Sequence, residues 1–407
     1  MFGATRSDVA SADKLNFMFK LAAGADSAMP PDVASRLNRG LESGGLSTML
    51  EASSEYQHTG RRVSLAGTAS TAFKHYRSLD RIDALGHSAG VGATVRLPNV
   101  TLRLDQAAAY SPSYLYQLFP TAGSPALGAS IPAHPDYQIV DQPSYSYTTN
   151  TALTFGSPRA TQLTVSGSFN RTDFEQQQLA RQDLEYYQGG VEVSRRITSS
   201  GSFRAGYDYR SSQFGSLPSQ EHGLMFGVEY SPALSRTRRA TFRLDVRPTQ
   251  LDVPASAANS ITADPVDQHL YRLSGEASVS YPFRLNWQTT ARYRRSVEYL
   301  SVFGQPVLSD GGRVELTGLL ARRIDLSASA GYVDAVSALN TASTLVTYTG
   351  QVAIRYALKR SLALSSEYLY YYYDLREQAA LTSQLPPRFE QHGVRVGVVL
   401  FIETLGR

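Results

Sequence analysis

The one spacing in this sequence that matches a catalytic device is Gly86-His87-Ser88-Ala89-Gly90, which has the form of the G-x-S-x-G nucleophile elbow. That device needs a strand, a sharp turn and a helix, so that the serine oxygen stands exposed above a sheet. Here the five residues lie inside an alternating run from Leu85 to Leu97, where small side chains suit a crowded wall, and no catalytic residue is expected. The seven histidines, His58, His75, His87, His134, His222, His269 and His392, lack metal-type spacing, so no metal ligand is expected either. Cysteine is absent, which excludes thiolate zinc sites, cysteine nucleophiles, disulfide frameworks and CxxCH haem attachment within this chain. Glycine-rich phosphate loops are missing, and no cofactor is implied. Basic residues alternate with acids instead of forming a stripe, which argues against a nucleic-acid partner.

What remains is paired charge. The 39 cations and 35 acids leave a net charge of +4 on 407 residues, and only Lys14, Lys20, Lys74 and Lys359 are lysines. Arginine chosen over lysine suggests fixed ion pairs, because its planar fork matches a carboxylate.

The elements that must position these charges follow from periodicity. From residue 43 onward, apolar and polar residues alternate with period two over stretches of about ten to fifteen residues. Ile324, Leu326, Ala328, Ala330 and Tyr332 point one way, and Asp325, Ser327, Ser329 and Gly331 the other. Phe242, Leu244 and Val246 alternate with Arg243, Asp245 and Arg247. Phe203, Ala205, Tyr207 and Tyr209 alternate with Arg204, Asp208 and Arg210. Connections are alternately short and long. Tight turns are expected near 58–61, 98–99, 158–161, 199–201, 231–236, 281–284, 322–323 and 359–360, and long loops over 76–83, 112–145, 173–184, 211–221, 253–267, 300–309, 338–344 and 375–389. Counting between them gives seventeen strands, and the alternating Leu15, Phe17 and Phe19 supply an eighteenth, with sixteen as the fallback count. Between that strand and residue 43, Pro30-Pro31 followed by Asp32 to Asn38 and Gly40 reads as one short helix in a ninth long loop.

Strands of about ten residues are what a tilted crossing of the apolar layer needs, whereas sandwich strands average five or six. In lipid every backbone N–H and C=O must be paired, so an antiparallel sheet has to close without an edge. The expected fold is therefore all-β: a closed antiparallel transmembrane β-barrel forming a single domain over residues 1–407. A soluble β-propeller, suggested by the repeat of roughly 40 residues, would need shorter blade strands and a recurring blade signature that is missing here. No apolar run approaches eighteen residues, which excludes a helical membrane protein and leaves a barrel open. Met1 to Asp13 shows no leader pattern, implying a mature chain whose export signal has been removed or to which a Met has been added. Tyr110, Tyr114, Tyr116, Tyr145, Tyr147, Tyr186, Tyr187, Tyr207, Tyr209, Tyr293, Tyr299 and Tyr368 to Tyr373 cluster next to the long loops and are expected to form an interfacial girdle.

The pattern resembles bacterial outer-membrane β-barrels of porin size over essentially the whole chain. In the last strand Arg395, Gly397, Leu400 and Ile402 fit the polar-x-Gly-x-x-apolar-x-apolar signal that such proteins present to the barrel insertion machinery, although the chain runs on to Arg407 instead of stopping at an aromatic residue. The resemblance implies the outer membrane of a Gram-negative bacterium, with outer-membrane lipid and lipopolysaccharide as surroundings.

If the apolar face meets lipid, the other lines a lumen. By parity its cations are Arg96, Arg103, Arg204, Arg210, Arg243, Arg247, Arg272, Arg292, Arg294, Arg355 and Arg395, and its acids Asp105, Glu192, Asp208, Glu229, Asp245, Glu276, Glu315, Asp325 and Glu367. Two functions suit such a wall. One is a porin passing small polar or anionic solutes by passive diffusion. The other is a sheath or exit channel in a larger complex, as a homo-oligomer or around a partner cytochrome or polysaccharide-export protein. Eighteen strands enclose more than side chains can fill, so something must narrow the lumen. The third long loop, 111–144, carries Leu115, Leu118, Phe119 and Ile131 among six prolines, and Asp136 and Asp141 as its acids. In many porins the third loop folds inward as the constriction, and this one is the expected candidate.

Overall fold

A computed structural model describes residues 12–28, 45–76, 82–111, 144–157, 160–174, 183–214, 217–235, 238–253, 268–284, 286–300, 305–338, 344–375 and 388–406. They form eighteen strands: β1 (Ala12–Asp26), β2 (Gly45–Thr59), β3 (Val63–Tyr76), β4 (Ile82–Arg96), β5 (Val100–Ser111), β6 (Ser144–Gly156), β7 (Thr161–Phe174), β8 (Leu184–Arg196), β9 (Gly201–Phe214), β10 (Leu217–Tyr230), β11 (Thr241–Val253), β12 (Gln268–Arg284), β13 (Trp287–Leu300), β14 (Gln305–Ala321), β15 (Ile324–Ser337), β16 (Thr344–Ala357), β17 (Leu362–Leu375) and β18 (Arg388–Gly406). Each pairs antiparallel with the next, and β1 pairs with β18 from Lys14↔Gly406 to Asp26↔Gly393, which closes the sheet. Closure explains why Glu403 to Gly406 continue the last strand: β1 needs partners along its whole length.

Parity divides the wall into two faces. Leu224, Phe226 and Val228 on β10, Leu244 and Val246 on β11, and Val394, Val396, Val398, Leu400 and Ile402 on β18 are all exposed large apolar side chains. In water so continuous an apolar belt would drive aggregation; in lipid it is the matching surface. The alternate residues, Asp245, Thr249, Ser365 and Arg395 among them, are buried on the opposite, inward face. With a closed ladder, an apolar belt and a polar interior, the chain is a closed antiparallel barrel whose outer face matches lipid, as its period-two pattern required. Aromatic rings mark both rims. Tyr110–Tyr145 and Tyr332–Tyr348 meet near the long connections, with ring centroids 4.8 and 5.1 Å apart, and Tyr281, Phe283 and Trp287 stack near the turn into β13. Gly318 faces Trp287 across the ladder because any Cβ there would lie 2.2 Å from the indole.

Several expectations need correction. The segments 211–221 and 300–309 are not long loops: β9 and β10 run as a hairpin to Phe214 and Leu217, and β14 begins at Gln305. Pro218 and Pro306 both sit in the sheet, opposite Gln213 and Tyr299. The expected turn at 281–284 is strand, since β12 extends to Arg284, and the chain between β10 and β11 runs through residue 240. The tyrosine run 368–373 does not all face outward. Tyr371 and Tyr373 are buried on the inner face against Phe389, and only Tyr368, Tyr370 and Tyr372 take belt positions. Tyr186 is likewise inward, with its ring 5.5 Å from the Arg210 guanidinium carbon. The helix expected at 32–38, Tyr114 and Tyr116, and loop residues 112–143 lie outside the described residues.

One break in the ladder bears on function. Between β12 and β13 the pairing runs only from Gly275↔Arg295 down to Arg284↔Trp287. Above that level β12 pairs on one side only, with β11, from Leu273↔Pro248 up to Gln268↔Val253, while β13 stays paired with β14 up to Leu300↔Gln305.

The two faces predict opposite tolerance to charge. Leu244→Arg, 48% exposed on the belt, is expected to cost about 2–4 kcal/mol, whereas Thr290→Arg, opposite Glu315 inside, costs less than about 1 kcal/mol. Equilibrium folding into phospholipid vesicles measures both.

Candidate functional site in the barrel lumen

The inner face is built from arginine and carboxylate residues brought together across strands. On β9 to β13 Asp245 accepts from two arginines, Arg204 Nη2 at 2.7 Å and Arg243 Nε at 2.6 Å. Arg247 Nε reaches Asp208 at 3.2 Å, Arg210 Nη1 reaches Glu221 at 3.5 Å, and Arg292 Nε reaches Glu276 at 3.3 Å. Arg294 lies 3.9 Å from Glu298. A second sector joins the closure strands: Lys74 donates to Asp26 at 2.5 Å, Lys20 to Glu367, and Arg395 is buried nearby on β18, opposite Glu367. Elsewhere Arg103 pairs with Asp105 at 2.8 Å, Arg355 with Asp325 at 2.8 Å, and Arg96 donates to Ser64 Oγ at 3.1 Å.

These positions follow from local sequence. Residues two apart on one strand share a face, so Arg103 and Asp105, or Arg243 and Asp245, meet along the strand. Residues opposite one another share it across the ladder, so Arg292 meets Glu276 diagonally from the 294↔276 pair. Parity therefore placed Arg96, Arg103, Asp105, Arg204, Asp208, Arg210, Arg243, Asp245, Arg247, Arg272, Arg292, Arg294, Arg355 and Arg395 on one face, but not their partners. Sequence reading also omitted Lys20, Lys74, Asp26, Glu221, Glu298 and Arg313 from this face. The pairs Lys74–Asp26 and Arg210–Glu221 join different strands, and only the strand register reveals them.

The Gly86–Gly90 motif resolves as wall. It lies within β4, with Ser88 buried on the inner face, 2.5 Å from Ser70 Oγ, and its neighbour His87 on the other face. No nucleophile elbow forms at these residues, which continue the strand on both sides.

The narrowing element among the described residues comes from the wall itself. Tyr293 and Val314 show that odd positions of β13 and even positions of β14 face the belt. By that parity Val297, Leu308, Val336 and Ala338 should also meet lipid. Instead Val297 is 3% exposed, and these four pack with Leu251, Val253 and Leu270, which face the lumen from β11 and β12. An outer face can touch an inner face only if one sheet segment passes behind the other. Arg210, projecting inward from β9, donates to Val297 O at 3.2 Å, and Arg272, inward from β12, donates to Ala338 O at 3.0 Å. The upper ends of β13, β14 and β15 thus bend into the lumen as a three-stranded flap and cross toward β9–β12. Gly275 on β12 and the Gly311-Gly312 pair on β14 stand at the level of the bend, where missing side chains allow it. The residues of this flap keep the alternation of wall strands and so carry no local mark of it; a constriction was expected at 111–144 instead. Asp136 and Asp141, the candidate acids of that loop, lie outside the described residues.

No family model matches the chain, and no curated protein matches it. Solved structures are similar in shape. Pseudomonas aeruginosa OpdQ aligns with a TM-score of 0.44 at 12% identity over 96% of this chain and 98% of its own. Pseudomonas aeruginosa OccK2 (OpdF) gives 0.45 at 8% identity over 96% and 98%, and Acinetobacter baumannii OccAB3 0.43 at 9% identity over 96% and 99%.

Asp245 serves two arginines of the wall at once. Asp245→Asn leaves Arg204 and Arg243 without their charge partner, and a loss of about 3 kcal/mol is expected in chemical denaturation. Replacing the buried pair together, Arg204→Met with Asp245→Leu, is expected to recover most of that loss.

Proposed function

We propose that the barrel is an outer-membrane channel for passive diffusion of small polar solutes. The observation that carries this reading is the contrast between the faces: a lipid-matched belt encloses an interior of ionised groups, which are costly to hold anywhere but in a hydrated space. Arg103 Nη2 and Arg204 Nε are buried with no protein partner among the described residues, a state that suits groups served by water. Interior arginines are mostly matched by carboxylates at 2.6 to 3.5 Å, so the field across the lumen is largely local. Selectivity therefore favours polar over apolar solutes strongly and anions over cations only mildly, through Arg272, which donates to the Tyr271 and Ala338 carbonyls.

A lumen that holds its own flap is poorly shaped to sheath a multihaem partner, so the solute channel is preferred over the sheath. The closing strand, with Leu400 and Ile402 on the belt and Gly397 inward beside Ala22, supports Arg395, Gly397, Leu400 and Ile402 as the insertion signal.

Planar-bilayer recording tests the channel. Discrete conductance steps that scale with bulk salt, a zero-current potential slightly toward anions, and a further shift toward anions in Asp245→Asn are expected. A folded, heat-modifiable barrel without conductance would overturn the reading.

A further inference from the structure

The flap leaves a seam whose two edges are complementary to each other. Below the break, paired residues of β12 and β13 keep one register, Gly275↔Arg295, Glu276↔Arg294, Ala277↔Tyr293. Continued upward, that register would set Ser274 against Ser296, Leu273 against Val297 and Arg272 against Glu298. Each pairing is sound on its own face: two hydroxyls inside, two apolar side chains on the belt, and an arginine facing a glutamate inside. In the described arrangement none of these pairs is made. Leu273 and Tyr271 stand 59% and 73% exposed on the open edge of β12, while Val297 is buried on the far side of the seam. The backbone of Gln268 to Ser274 lacks a ladder on that edge, which is the feature a membrane barrel ordinarily abolishes.

We propose that the β13–β15 flap is a gate with two arrangements. In the one described, it lies in the lumen, held by the apolar cluster around Leu251 and by the bonds from Arg210 and Arg272 to the Val297 and Ala338 carbonyls. In the other, β13 zips onto β12 in the continued register, the seam closes, Arg272 exchanges a carbonyl for Glu298, and the lumen widens. The hinge lies at Gly275, Arg295 and Gly311-Gly312, where pairing ends on one side of β13 and continues on the other. The exchange conserves polar satisfaction: carbonyl contacts are replaced by ladder bonds, and buried apolar area in the lumen is replaced by contact along the belt. Two arrangements balanced in this way interconvert by small biases, as packed elements with discrete states do. The inference goes beyond the channel reading, since it concerns how wide the lumen stands, and its first readout does not depend on conduction.

The chain has no cysteine, so paired cysteines report cleanly. In Leu273→Cys/Val297→Cys the thiols face each other only when β13 is zipped; in Leu251→Cys/Val297→Cys they meet only when the flap is in. Disulfide yield is read by gel mobility on heat-modifiable, folded barrel, and single-channel conductance before and after reduction is read on the same preparations. Both pairs should cross-link. The oxidised 273/297 pair should at least double the conductance relative to its reduced form, and the oxidised 251/297 pair should hold the lower level and lose spontaneous upward steps. Failure of the 273/297 pair to cross-link in folded barrel overturns the gate, as does cross-linking that leaves conductance unchanged in a conducting channel. Absence of conductance in every preparation, the unmodified chain included, overturns the channel reading instead, and the two disulfide yields still decide whether the flap moves.

Discussion

The structure depends on the requirement that a backbone in lipid satisfy itself. No water reaches the apolar layer, so each N–H and C=O must find a partner in the sheet, and an antiparallel sheet meets that demand only by closing. Lys14 to Asp26 on β1 are paired on both sides, with β2 and with β18, although β1 and β18 lie at opposite ends of the sequence. From closure follow the even strand count, the two faces, and the gathering of ion pairs such as Arg204–Asp245 and Lys74–Asp26 on the inner one. The location of charge is thus a consequence of backbone chemistry before it is a matter of function.

Once charge is inside, its behaviour is set by pairing. The lumen contains many arginines, yet Asp245, Asp208, Glu221 and Glu276 hold most of those on β9 to β13 at hydrogen-bond or close ionic distance. Such pairs stiffen the wall and mute its net potential. The groups that remain to act on solutes are those whose partners are backbone carbonyls, and Arg272 is the clearest, tied to the flap itself. Width and field are in this way linked: moving the flap changes the partner of a lumenal cation.

Most of the fold was legible because its signal is local and repeated. Alternation along Phe242 to Arg247 fixes which face each residue takes, and the strand count follows from the alternation of short and long connections. Legibility failed in two kinds of place. Ser211, Ser212, Ser219 and Gln220 are polar and read as loop, yet they pair with each other at the end of the β9–β10 hairpin. The flap was invisible for a deeper reason. Val297 and Leu308 read as belt residues by every local criterion, and only a change in how whole strands lie turns their belt-side face against Leu251. Pairing partners such as Glu367 for Lys20 were likewise hidden, since they are set by closure across the chain termini.

One face of each strand is wet and the other meets lipid. Single cysteines placed in turn at positions 242 through 247 of β11, in barrel reconstituted into vesicles, and exposed to a membrane-impermeant charged thiol reagent, test it most directly. Labelling is expected at 243, 245 and 247 and none at 242, 244 and 246. Uniform labelling would contradict the lipid-facing belt, and no labelling at the odd positions would contradict the hydrated lumen.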